Sequence, residues 1–311
     1  MKNYMKIFTI CFAIVVLLIQ QTNAQTPQAD RDWWNGLGPA WKKILQNQEL
    51  KGKNVDPTPE QLNRIVKIKQ IDCSNNNEVE SLKALAKLEL LEVIRCNNSP
   101  GIKSLEGIES LKNLKEIDCS DNDNINSLIP LQGLTNLEKI NCGNTMIKDL
   151  KPLSNLTKLR ILDAHFSTVS ELIFISSLTN LEKLDVSKNQ SLFSLQGIEK
   201  LSKLTDLNCA ETKVIDLIPL ATCGNMEILD ISGTPVNTLR SLQNLRKIRE
   251  LNFSDTRIRG SSLDYLYSMA SMEMLRGKNI DVTAPEKEVF EGNFKKKSPN
   301  CTILISPIEI K

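Results

Sequence analysis

The stretch "EIDCSDNDNINSLIPL", residues 116–131, carries one cysteine, Cys119, and cysteines recur around it in steps of 23 residues, at Cys73, Cys96 and Cys142. A fixed spacing of this kind can mean disulfides, a metal site or a repeat. Alignment decides for the repeat. "LEVIRCNNSPGIKSL", "LKEIDCSDNDNINSL", "LEKINCGNTMIKDL", "LEKLDVSKNQSLFSL" and "LTDLNCAETKVIDL" share one form, L-x-x-L-x-φ-x-x-(N/T), then an apolar residue and x-x-L, where φ is apolar or Cys. Units start at Ile65, Leu88, Leu111, Leu134, Leu156, Leu178, Leu201, Cys223, Leu245 and Met269, with a period of 22 or 23 residues until a last step of 24.

The alternating core of each unit is a short strand. Ile117 and Cys119 point to one face, Glu116 and Asp118 to the other. One strand per unit, always entering in the same sense, gives a parallel sheet. No unit can bury its apolar face alone, so the units bury each other's. Ten strands about 4.8 Å apart make a sheet roughly 45 Å long. The second half of each unit returns along the convex side. Pro130, Pro152 and Pro219 recur there at one position, where a residue without an N–H fits a short connection better than a long helix. Units differ by one residue at the turn after the strand. Asn76, Ser99, Asn122 and Asn189 mark the longer form; Thr145, Ser167, Thr212, Thr234 and Thr256 mark the shorter. Asn is expected to tolerate the more strained backbone of the longer turn, and Thr or Ser to cap the tighter one.

Over residues 62–282 this pattern resembles the leucine-rich-repeat family, and the unit "IKDLKPL" or "VIDLIPL" is similar to the internalin-like repeats of secreted bacterial proteins. The tail "FKKKSPNCTILIS", residues 294–306, resembles the ending that closes many bacterial arrays of this kind. The resemblance implies an α/β solenoid, a horseshoe with a parallel concave β-sheet, short turns or 3-10 segments on the convex side and a helical N-terminal cap. It implies binding rather than catalysis and does not name a ligand.

The N-terminus is of another kind. "MKNYMK" is basic, "IFTICFAIVVLLI" is apolar and "QQTNAQ" ends small and polar. This reads as a secretory signal peptide, residues 1–24, cleaved after Ala24. The expected product is exported, periplasmic, cell-surface or secreted, with no membrane insertion once the signal is removed. It retains seven cysteines, an odd number that cannot all pair within one chain. Cys73, Cys96, Cys119 and Cys142 are expected to be reduced, because neighbouring side chains run parallel into the core. Solenoid ends need caps. Residues 25–61 are assigned to the first, where Trp33, Trp34 and Trp41 either cover the first repeat or form a ligand platform. Thr58 and Gln61 form a capping box ahead of a short helix. Residues 283–311 are assigned to the second cap, with a helix from about Ala284 and a closing strand "CTILI".

The formal net charge is +2 and charged residues are 24% of the chain, which gives no reason to expect nucleic acid. There is no zinc spacing, no phosphate-cradling glycine loop and one histidine, His165. No cofactor is expected, and Ser–His–Asp or Cys–His catalysis has little to work with. The outward strand positions form two columns. One reads Asp72, Arg95, Asp118, Asn141, Asp163, Asp185, Asn208, Asp230, Asn252, Arg276; its carboxylates could serve glycan hydrolysis or calcium, or simply make a polar face. The other mixes charged and apolar residues, as a protein-binding surface does. At mid-array His165 and Phe166 replace small or polar residues, and aromatics are over-represented at interface hot spots. The expected function is a non-enzymatic scaffold that binds a macromolecule, in first place a protein, through Lys139, Ile161, Asp163, His165, Phe166, Lys183 and Asp185. The alternatives are a carboxylate-based glycan hydrolase and a self-associating envelope component. The chain is expected to be a monomer.

Overall fold

The computed structural model describes residues 28–53 and 55–308; the expected export signal lies outside them. Eleven strands form one sheet in strict chain order, every pair parallel. They are β1 Gln70–Asp72, β2 Val93–Arg95, β3 Glu116–Asp118, β4 Lys139–Asn141, β5 Ile161–Asp163, β6 Lys183–Asp185, β7 Asp206–Asn208, β8 Ile228–Asp230, β9 Glu250–Asn252, β10 Met274–Ile280 and β11 Thr302–Pro307. The convex side is built of 3-10 turns, and Pro130, Pro152 and Pro219 each stand second in one of them. Where the unit reads "SLEGI" or "SLQGI" the 3-10 turn is replaced by a glycine at φ +102° (Gly107) or +114° (Gly197). A Cβ at either would run into the backbone of the preceding repeat, so only glycine fits.

The core is one continuous stack of inward columns. Cys73, Cys96, Cys119, Cys142, Ala164, Val186, Cys209, Ile231 and Phe253 occupy equivalent places, all buried. The cysteines of the described residues are free thiols, as the parallel side-chain vectors require. The Cys119 thiol lies 3.4 Å from the Asn141 carbonyl of the next strand and Cys142 lies 3.3 Å from that of Asp163. Burial, helped by the neighbouring aspartates, pushes Cys73 and Cys119 up to about 12. These thiols behave as small hydrophobes.

The turn reading needs a correction. Positive φ does not fall on Asn76, Asn122 or Asn189. It falls one residue earlier and in both turn forms, at Asn75, Asn98, Asp121, Asn144, Phe166, Lys188, Glu211, Gly233, Asp255 and Asn279. The buried asparagines do something else. The Asn122 amide donates to the Cys96 carbonyl of the preceding repeat and to Cys119 and Ser120 of its own. Asn189 does the same with Ala164, Val186 and Ser187. Thr145, Thr212, Thr234 and Thr256 bond the carbonyl of their own strand end at 2.6–2.7 Å, and only Thr145 also meets a side chain of the next repeat, Ser167 at 3.3 Å. Asn therefore staples two repeats where Thr caps one, satisfying carbonyls that would otherwise be buried without partners.

Helices close the N-terminal end: α1 over 28–36, α2 Pro39–Glu49 and α3 Pro59–Ile65. The tryptophans belong to this cap. Trp34 is fully buried and donates to Asp56; Trp33 and Trp41 donate to the carbonyls of Ala84 and Ser81 in the first repeat. At the other end α4, Ala284–Lys295, lays Phe290 and Phe294 against Tyr267. Both α3 and α4 open on a complete capping box, at Thr58 and Thr283.

Candidate functional site

The concave face follows from the strand period. In the first outward column Lys139, Ile161 and Lys183 are register neighbours on β4, β5 and β6, and Asp163 and Asp185 are neighbours two residues on. Lys183 lies 3.4 Å from Asp206 on the next strand. The seven candidate residues are thus brought together on three adjacent repeats.

The aspartate and asparagine column has a local task. Each residue accepts the backbone N–H two positions on, as Asp118 does from Ser120, Asp185 from Ser187 and Asp230 from Ser232. The serine hydroxyl then bonds the same oxygen at 2.6–2.7 Å. Asn208 and Asn252 donate sideways to Asp185 and Asp230. This is an Asx turn repeated at each strand end. The carboxylates form an open file along one face. Glycoside hydrolysis needs a pair facing each other across a scissile bond, and this file does not build one.

At β5 the motif changes. His165 takes the serine's place, and its Nδ1 lies 2.7 Å from Asp163 Oδ1, the oxygen that also accepts the His165 N–H. The imidazole lies across the backbone of Gly143 in the preceding repeat. A Cβ at Gly143 would overlap the ring, so Gly143 is what admits His165. The next residue, Phe166, has φ 45°. A bulky residue there is a backbone outlier and costs on the order of 1–2 kcal/mol. Its ring stays 57% exposed. The amide ladder that links this column elsewhere, Asn98 to Asn75, Asn144 to Asp121 and Asn279 to Asp255, has no counterpart at Phe166. Gly143 carries no chemical group that would mark it in the sequence. Its signal is the absence of a side chain next to the one histidine.

No protein-family model and no curated protein matches the sequence. Solved structures match the shape. Internalin InlF of Listeria monocytogenes superposes with a TM-score of 0.66 at 20% identity, over 87% of this chain and 91% of its own. A leucine-rich-repeat protein of Leptospira interrogans gives 0.70 at 22%, over 79% of this chain and 62% of its own. The functional domain of InlJ from Listeria monocytogenes gives 0.66 at 18%, over 81% of this chain and 57% of its own. The fold is that of an internalin-like leucine-rich-repeat protein.

The InlJ domain is described as including a cysteine ladder; in this chain Cys73, Cys96, Cys119 and Cys142 stand at equivalent buried positions of successive repeats. Beside the concave face a second ladder runs through the residue that precedes each strand: Lys69, Glu92, Lys115, Glu138, Arg160, Glu182, Thr205, Glu227, Arg249, Glu273. Sign alternates at every step except Thr205. Glu92 bonds both Lys69 and Lys115, Arg160 holds Glu182 through two bonds of 2.9 Å, and Arg249 reaches Glu227 and Glu273. These pairs balance each other and leave the flank near neutral. The concave face is not balanced. Its two outward columns carry four basic side chains against eight acidic ones, formally −4 on a chain of +2.

Proposed function

We propose that the chain is an exported, non-enzymatic scaffold that recognises a protein through its concave face at mid-array, with contacts at Lys139, Ile161, Asp163, His165, Phe166, Lys183 and Asp185. The observation that carries this reading is Phe166, an exposed phenylalanine at a turn position that polar residues or glycine fill in the other repeats. The left-handed turn itself recurs along the array; what is particular to this repeat is an aromatic ring at that position, and aromatics are over-represented at interface hot spots. The preformed sheet limits the ordering cost of association. Ile161 between Lys139 and Lys183 gives an apolar anchor with a charged surround, the usual anatomy of a hot spot. Solved proteins of this fold hold a peptide, as in the plant hormone receptor RGFR1 with RGF2, or an RNA, as in TLR13 with ssRNA13. The formal −4 of the concave face favours the protein, since a polyanion would meet like charge. Export rests on the N-terminal signal, and among the described residues no helix is long and apolar enough to cross a membrane. The triple change Ile161→Ala, Phe166→Ala, Lys183→Ala tests the site. It is expected to abolish crosslinking to the partner recovered from the native envelope while leaving the circular dichroism spectrum unchanged. Undiminished crosslinking would remove the concave face from the proposal.

A further inference from the structure

The last strand has one neighbour. β11 pairs with β10 from Thr302↔Met274 to Ile305↔Gly277 and, after a register shift, at Pro307↔Ile280; among the described residues no strand lies on its other side. The Thr302 N–H donates to the Glu273 carbonyl, so the backbone groups of Thr302 and Leu304 face β10. By alternation those of Ile303 and Ile305 face outward. Among the described residues nothing pairs with them. At six residues β11 is twice as long as β1 to β9. It carries no charged side chain, and Leu304 is 39% and Ile308 52% exposed. Natural sheets blunt such edges with lysines, bulges or short strands. Here only the end of the strand is so treated, by Pro307 and the register shift in β10 opposite it; residues 302–305 pair regularly.

The other end of the sheet is guarded. β1 has three residues, the Gln48 amide donates to its outward Gln70 carbonyl, and helix α2 stands beside it.

We propose that β11 is a self-association edge, and that its occupant is the β11 of a second copy of this chain, antiparallel about a two-fold axis at Leu304. The sequence of the strand supports this occupant. "TILIS", residues 302–306, reads nearly the same in both directions. Antiparallel pairing about Leu304 therefore sets Ile303 against Ile305, Thr302 against Ser306 and Leu304 against itself. Because Ile303 and Ile305 hold the outward backbone groups, they form the hydrogen-bonded pairs. Leu304 then falls at the non-bonded pair on the axis, where Cα atoms approach to about 4.5 Å and side chains meet. An uncharged strand meets its copy without repulsion. The contact is isologous, so it closes at two copies. It continues the eleven-stranded sheet and leaves the mid-array face of both copies open. The monomer expected from the sequence gives way to a dimer in this reading.

The test is sedimentation velocity on residues 25–311 over a series from micromolar to sub-millimolar concentration. The wild-type mass is expected to double across the series, and Leu304→Lys, which sets two ammonium groups against each other, is expected to hold it at one copy. The geometry is read by two cysteine variants. Leu304→Cys is expected to crosslink to itself in air, because the axis places the two Cα atoms within disulfide range. Thr302→Cys is expected not to, since its copies stand about 14 Å apart, four residues along the strands. The native cysteines of the described residues are buried and do not compete. A single-copy mass throughout the series would overturn the proposal, as would equal crosslinking by the two variants.

Discussion

The two ends of this solenoid solve one problem by different means. Both must cover the inward columns of a terminal repeat, and both use a short helix opened by a capping box. The N-terminal end adds three tryptophans, each with its N–H bonded, and places Gln48 on the edge strand's carbonyl. The C-terminal end covers the core with Phe290, Phe294 and Tyr267 but, among the described residues, gives the backbone edge of β11 no partner. Sealing a core and sealing a sheet edge are separate tasks. One is met by apolar area, the other only by hydrogen-bonding groups or charge. An end that does the first and not the second is closed to water and open to a strand.

The comparison breaks most visibly if the N-terminal seal is removed. Trp34→Ala takes away a fully buried indole and its hydrogen bond to Asp56. The expected loss is about 3–5 kcal/mol, and it should be local at first, since repeats depend on their neighbours. Hydrogen exchange is the measurement that separates local from global loss. Protection should fall in β1 and β2 and persist in β9 and β10. Uniform loss along the array would mean that the cap and the distant repeats unfold as one unit.

Much of this architecture is legible in the sequence because the period fixes it. The inward columns, the outward columns and the prolines of the convex side recur in register and need no contact information, and the capping box at Thr58 and Gln61 is a local signal. What the sequence hides is what depends on the neighbouring repeat. Gly143 makes sense only when the ring of His165 is known to lie over it. Gly277 has the same character: a Cβ there would strike the ring of Phe253, so the largest residue of the inward column is matched by the smallest in the next strand. The strained position is hidden because the eye goes to Asn122, whereas the turn bends at Asp121. The alternating charges are also missed within any one repeat, where each is a single exposed residue. The candidate site is legible as a departure from the repeat, at His165 and Phe166. Its built character, with Gly143 as floor and Phe166 held in the left-handed region, is not.

The helix starts should sharpen the comparison by showing no difference. Thr58 and Thr283 make the same reciprocal bonds, to Gln61 and to Glu286. Thr58→Ala and Thr283→Ala are each expected to cost about 1 kcal/mol. Urea unfolding midpoints, compared in pairs, check this. A much larger effect at Thr58 would indicate that the N-terminal cap depends on its helix start more than on its tryptophans.

The smallest effect concerns the charge ladder, which also distinguishes the ends. It begins at Lys69 before β1 and stops at Glu273 before β10; the residue before β11 is the uncharged Cys301. Glu92, near its start, lies 2.6 Å from Lys115 and 2.8 Å from Lys69. Hydrogen bonds from Lys115 and then Lys69 lower its carboxyl to about 2, while the same bond raises the Lys115 ammonium. A carboxyl lowered on folding contributes its full stability above its unfolded value, near about 4.3, and loses it as pH falls through its folded one. A raised ammonium contributes below its unfolded value, near about 10.4, and loses its share above that. The pairing therefore acts between about pH 4 and pH 10, and because it is solvent-exposed its contribution is small and screened by salt. Glu92→Gln should lower the thermal midpoint less than Thr58→Ala does at neutral pH. The difference from wild type should shrink in high salt and vanish as pH falls through about 2. If it instead persists unchanged in both conditions, the effect of Glu92 is not electrostatic, and the alternation of sign along the flank is not what holds the repeats in register.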